Sequence, residues 1–146
     1  MRKTITGWTK LLLAGLLLAQ GCVAPQPSPD LLAPTDAQMK LRSFQSRTFE
    51  VTDRKAAMRG VIAALQDLGF IIERANEPLG LVTAARFTEP DNLSVVEVSV
   101  TVRPQADGRM LVRANAIYNR SPVDDPKVYQ NFFATLNRSL FITREE

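Results

Sequence analysis

The chain holds one thiol, Cys22, and no histidine. Nucleophiles activated by histidine, His/Cys metal cages, Cys-x-x-Cys redox pairs and internal disulfides are therefore excluded by count. Asp124 and Asp125 stand side by side as a candidate acid and base pair. They directly precede Pro126, and adjacent carboxylates there read as a helix start, where negative charge meets the positive end of the dipole. Gly60, Gly69, Gly80 and Gly108 are isolated, so no glycine-rich loop is available to cradle a phosphate. Ser94, Ser99, Ser121 and Ser139 have no histidine to activate them. The residue types point to a protein that is not an enzyme and holds neither metal nor cofactor. The one reactive side chain with an informative setting is Cys22.

That setting is an export signal. Arg2, Lys3 and Lys10 surround the start of a nine-residue apolar run at 11–19 (LLLAGLLLA), and the small residue Gly21 precedes Cys22. A positive segment, an apolar segment and a small residue in that order make a secretory signal peptide. A membrane span needs about 20 apolar residues to cross roughly 30 Å of hydrocarbon, and Lys10 and Gln20 hold this run to about half that length. The ending Leu18-Ala19-Gln20-Gly21-Cys22 resembles the lipobox of bacterial lipoproteins. The resemblance implies transfer of diacylglycerol to the Cys22 thiol, cleavage after residue 21, and acylation of the new amine by a chain such as palmitate. It also implies, because Val23 rather than aspartate follows the cysteine, sorting to the outer membrane with the protein facing the periplasm. Such chains anchor a protein to a membrane without spanning it, at about 0.8 kcal/mol per buried CH₂.

The charge balance agrees with export and argues against nucleic acid. The whole chain has 18 basic and 15 acidic residues, a net charge of +3. Arg2, Lys3 and Lys10 account for the excess, so the chain from residue 22 onward has 18 − 3 = 15 basic against 15 acidic residues. A nucleic-acid binder needs a basic stripe that survives processing, because phosphate neutralisation supplies most of its affinity. Residues 22–45 read as a tether, since Pro25, Pro27, Pro29 and Pro34 remove backbone donors and favour an extended polyproline conformation. Leu31 and Leu32 interrupt its polar run.

The folded domain is expected over 46–142. A short strand is read at 48–51. Asp53 offers an N-cap to a helix whose apolar face is Met58, Val61, Ile62, Leu65 and Leu68, with Gly69 to stop it. Strands follow at 70–74 and 81–87 across a turn at 76–80. Val96, Val98, Val100 and Val102 alternate with Glu97, Ser99, Thr101 and Arg103, which marks a strand with one dry face. Asp107-Gly108 turns the chain into a return strand carrying Met110, Val112, Ala114, Ala116 and Tyr118 on one face. Asp125-Pro126 then starts a last helix with the stripe Tyr129, Phe132, Phe133, Leu136 and Leu140, read as core rather than as a stacking platform. The order β-α-β-β-β-β-α predicts an α+β two-layer sandwich: an antiparallel sheet of four to five strands with two helices on one face. On the opposite face Ile71, Leu111 and Ile117 lie among Glu73, Arg113 and Asn115, and form the candidate partner face.

Two stretches carry a further resemblance. Ala63-Ala64-Leu65-Gln66-Asp67-Leu68-Gly69-Phe70 with Leu79-Gly80 beyond it, and Tyr129-Gln130-Asn131-Phe132-Phe133 with Ser139-Leu140-Phe141, resemble a group of small, uncharacterised proteobacterial lipoproteins. The helix, the LGF strand start and the LG turn are also similar to the helix-grip domains of BamC, the lipoprotein accessory subunit of the outer-membrane β-barrel assembly machinery. The resemblance covers about residues 46–142 and implies a helix-grip-like fold. The expected function is that of a non-enzymatic, lipid-anchored periplasmic domain acting as accessory or scaffold among envelope proteins. The alternative is a module binding a small ligand, lipid or glycan between sheet and helices. A solid core with an apolar outer patch favours the scaffold, while a void lined by Val96, Val98, Val112 and Phe133 favours the ligand module.

Overall fold

The computed structural model describes residues 33–88 and 94–142. The expected signal peptide, Cys22 and most of the expected tether lie outside the described residues. Pro34–Glu146 forms a compact unit. Its buried apolar core is drawn from Phe49 to Leu140, so the unit brings its own core with it.

In chain order the elements are α1 (Asp36–Phe44), β1 (Ser46–Phe49), α2 (Arg54–Asp67), β2 (Ile71–Asn76), β3 (Leu81–Thr88), β4 (Ser94–Pro104), β5 (Met110–Tyr118), β6 (Ser121–Pro122) and α3 (Pro126–Ile142). The sheet runs β1-β5-β4-β3-β2 with β6 added on β5, and every pairing is antiparallel. The fold is the α+β two-layer sandwich that the alternating and helical periods predict.

Register turns the sequence alternation into a single dry face. Val98 pairs with Ala116, Val100 with Ala114 and Val102 with Val112, and these six side chains are buried while Glu97, Ser99 and Arg103 on the same strand are exposed. α2 begins where Asp53 accepts hydrogen bonds from the backbone N–H groups of Lys55 and Ala56 at 3.1 and 3.0 Å. It ends in a Schellman arrangement: Phe70 N–H donates to the Leu65 carbonyl and Gly69 N–H to that of Gln66, both at 2.9 Å. Gly69 supplies the positive φ of 81° that this ending requires. α3 begins where Asp125 accepts from Lys127 N–H at 2.9 Å, so this carboxylate serves as a helix cap. Midway along α2, Gly60 faces Leu136 and Leu140 of α3, and a Cβ there would collide with Leu140. The absent side chain leaves room for the end of the Leu140 side chain where the two helices pack.

Three features depart from the sequence reading. A helix, α1, occupies residues that read as tether, and the compact unit therefore starts at Pro34 instead of 46. Its cause is a capping box: Thr35 Oγ1 accepts from Gln38 N–H at 3.2 Å, and Gln38 Oε1 accepts from Thr35 N–H at 2.9 Å. Leu41 and Phe44 then rest against the core. The proline density just before Thr35 hides that start. The first strand begins at Ser46 rather than 48. The third departure is β6, which brings the strand number to six. It follows a tight turn in which Asn119 and Arg120 take φ of 45° and 68°. Asn119 holds that turn to β4: its Oδ1 accepts from Val95 N–H and its Nδ2 donates to Ser94 Oγ, both at 3.0 Å.

Candidate functional site

The layers do not close everywhere. Between the dry face of the sheet and the two long helices lies an apolar cleft of about 460 Å³, within the range of roughly 300–1,000 Å³ typical of small-molecule sites. Its floor is Val96 and Val98 of β4 with Ala114 and Ala116 of β5. The two alanines leave the sheet low where α3 starts. Leu65, Leu68 and Phe70 form one wall, and Val128, Tyr129 and Phe132 of α3 the other. Tyr118 and Val128 stand at the rim, 44% and 42% exposed, although each continues an apolar stripe that is buried further along its own element.

The buried polar groups beside the cleft are held, while Asn131 and Tyr118 line it at exposed positions. Tyr129 donates its hydroxyl proton to the Val123 carbonyl at 2.6 Å. The same oxygen accepts from Gln45 Nε2 at 3.1 Å and from Ala116 N–H at 3.4 Å. Gln45 is itself buried and also donates to Asn115 Oδ1 at 3.3 Å. Among the described residues no buried side-chain donor or acceptor is left unsatisfied. Tyr129→Phe is expected to remove the hub of this network and to lower stability by about 2 kcal/mol, the usual cost of leaving buried partners unmet. Urea unfolding checks this: the midpoint should fall with an unchanged slope, and an unmoved midpoint would show the hydroxyl to be dispensable.

Among the described residues Arg86 is the only charged one lining the cleft. It occupies an inward position of β3, after Val82 and Ala84, and pairs with Val96 across the sheet. Its guanidinium lies over the Phe70 ring, 5.0 Å from the centroid, and Nη1 donates to the Leu68 carbonyl at 2.9 Å. Stacking and the helix-end carbonyl together fix its direction.

Of the residues expected to line a void, Val96 and Val98 do so, while Val112 and Phe133 do not. Both of the latter are fully buried in the solid end of the core, where Phe133 packs against Phe49 and Phe132 with ring centroids 6.2 and 5.1 Å away. Sequence reasoning missed Arg86. Its signal was present as a charge breaking the inward alternation Val82, Ala84, Arg86.

Ile71, Leu111 and Ile117 all lie on the outer face of the sheet, through the pairs Ile71–Ala85, Leu111–Thr48 and Ile117–Glu97. They do not adjoin. Leu111 and Ile117 are separated along β5 by about 20 Å at roughly 3.4 Å per residue, with Arg113 and Asn115 between them on that face. Ile71, 66% exposed, lies on the edge strand β2, three strands from Ile117 in the sheet order.

Elsewhere, Asp107 has its carboxyl held below the usual carboxylate range by a side-chain hydrogen bond from Arg109, in the exposed β4–β5 hairpin away from the cleft. Among the described residues no group of His, Cys, Asp or Glu could hold a metal ion, and no helix is long and apolar enough to cross a membrane. No protein-family model matches the chain, and no curated protein matches it.

Proposed function

We propose that this chain is a lipid-anchored protein of the bacterial envelope, held through acyl chains on Cys22 at the periplasmic face of the outer membrane, whose folded domain binds a small apolar ligand without catalysis. The observation that carries the binding reading is the apolar cleft of about 460 Å³ between sheet and helices. A core built only for stability would cover that surface, because apolar area left open to solvent forgoes the transfer energy that burial supplies. The anchor rests on the order of charged, apolar and small residues before Cys22. A scaffold role among envelope proteins draws less support, since Ile71, Leu111 and Ile117 are too far apart to make one apolar patch.

The binding reading is tested with N-phenylnaphthylamine, an uncharged fluorophore that brightens in apolar sites. The sole tryptophan is Trp8, so a chain beginning at residue 22 has no indole background. Saturable enhancement is expected with that chain, carrying Cys22→Ser so that no detergent is needed. Ala116→Leu, which raises the cleft floor, should weaken binding about tenfold or more while circular dichroism stays unchanged. Absence of saturable binding, or equal affinity in a folded Ala116→Leu variant, would sink the reading.

A further inference from the structure

We propose that the cleft is built for a single-chain amphiphile with a carboxylate head, a long-chain fatty acid, with the head on Arg86 and the chain lying along Val98, Ala116 and Phe132. This rests on the ligand-binding reading and adds the chemistry of the ligand.

The sign of the charge comes first. Among the described residues the cleft lining contains one cation and no carboxylate, and the ion pairs found are those of Arg109 with Glu50 and Asp107, away from Arg86. Among the described residues Arg86 is thus a positive charge of the cleft with no carboxylate paired to it, which favours an anionic guest and disfavours a cationic one. A purely apolar guest would gain nothing from it.

Its placement comes second. An inward position on β3 is where the alternation calls for an apolar residue, and Arg86 meets that demand by laying its stem on the wall while its head reaches the rim. Stacking on Phe70 and donation to the Leu68 carbonyl use one face and one N–H of the guanidinium. A guanidinium has five N–H donors in a planar fork, so enough remain for two parallel bonds to a carboxylate. Because the group is already oriented, little conformational entropy is lost when the head docks.

The shape of the site comes third. Behind Arg86 the cleft offers aliphatic and aromatic surface, and the only hydroxyl deep within it, that of Tyr129, is already bonded to the backbone of Val123 and Ala116. Asn131 and Tyr118, the other polar side chains of the lining among the described residues, are both exposed, so the buried part of the cleft presents no unbonded polar group to the hydroxyls of a glycan. One charged end and one dry end describe a fatty acid.

Displacement of N-phenylnaphthylamine from the Cys22→Ser chain beginning at residue 22 tests this with three ligands of equal chain length: dodecanoate, dodecanol and dodecylamine. Dodecanoate is expected to bind about tenfold tighter than dodecanol, the effect of one charge-assisted contact, and dodecylamine weakest. Arg86→Met should erase the difference by weakening dodecanoate alone, and Arg86→Lys should restore part of it. Equal affinity for acid and alcohol in the unaltered cleft overturns the proposal without needing any Arg86 variant, as does a preference for the acid that survives Arg86→Met. If none of the three ligands displaces the fluorophore and the fluorophore itself does not bind, the ligand-binding reading falls and this inference with it.

Discussion

Cys22→Ser is expected to shift the protein from the membrane pellet to the soluble periplasmic or cytoplasmic fraction. On the proposed lipoprotein reading, attachment would run through the Cys22 sulfur and the amine beside it, so a hydroxyl that cannot accept diacylglycerol would remove it. The effect is large because lipid anchoring is multiplicative: one myristoyl chain gives an association constant of roughly 10⁴ M⁻¹, and a second makes attachment effectively permanent. The chain from residue 22 would add no electrostatic attachment of its own, since it carries 15 basic and 15 acidic residues and so has no net attraction for anionic lipid. Fractionation of cells expressing the two forms reads the result directly, with Trp8 emission as a second measure because that tryptophan precedes the proposed cleavage point. A Cys22→Ser protein that stays with the membrane and keeps its indole emission would mean that the apolar run at 11–19 is itself a retained anchor.

Gly80→Ala should be the most damaging single methyl in the folded domain. Gly80 closes the β2–β3 turn with φ of 63°, donates its N–H to the Glu77 carbonyl at 3.0 Å and accepts at its own carbonyl from Val102 N–H at 2.7 Å. A Cβ at this position would overlap the carbonyl oxygen of Val102. That atom is main chain in the central strand β4, so relief requires moving the sheet. The left-handed backbone alone costs an alanine about 1 kcal/mol. With the clash added, about 3 kcal/mol is expected, out of a typical total of 5–15 kcal/mol. At several degrees per kcal/mol for a domain of this size, Tm should fall by about 15 °C. Gly108→Ala separates the two contributions: its φ is 83°, yet nothing lies within 4 Å of where its Cβ would stand. It should lose only the smaller amount. Equal losses in thermal unfolding of the two variants would show that Val102 is not the obstacle.

Much of this architecture could be read from local patterns, because those patterns are the physical cause of the elements. The valines of β4 alternate, so one face is dry whatever they pack against. Asp53 and Gly69 bound α2 through hydrogen bonds that reach no further than a helical turn. α1 was also locally encoded, by Thr35 and Gln38, but the prolines before it suggested a tether. β6 was not readable in this way: its two residues have no alternation of their own, and they pair with β5 beyond a turn that Asn119 ties to β4.

The sequence by itself determined the element types, the inward and outward faces of the sheet, the helix ends, and the residues that surround Cys22. Only the tertiary structure decided that Ile71, Leu111 and Ile117 stand apart, and that Arg86 shares a cleft with Ala116 and Tyr129. The physical reason is that periodicity assigns a side chain to a face, whereas a void is the volume left when two faces of different contour are laid together. Here Ala114 and Ala116 meet the first turns of α3, while Phe133 fills the far end against Phe49. That match depends on strand register and helix placement across more than 40 residues of chain, and no local window contains it.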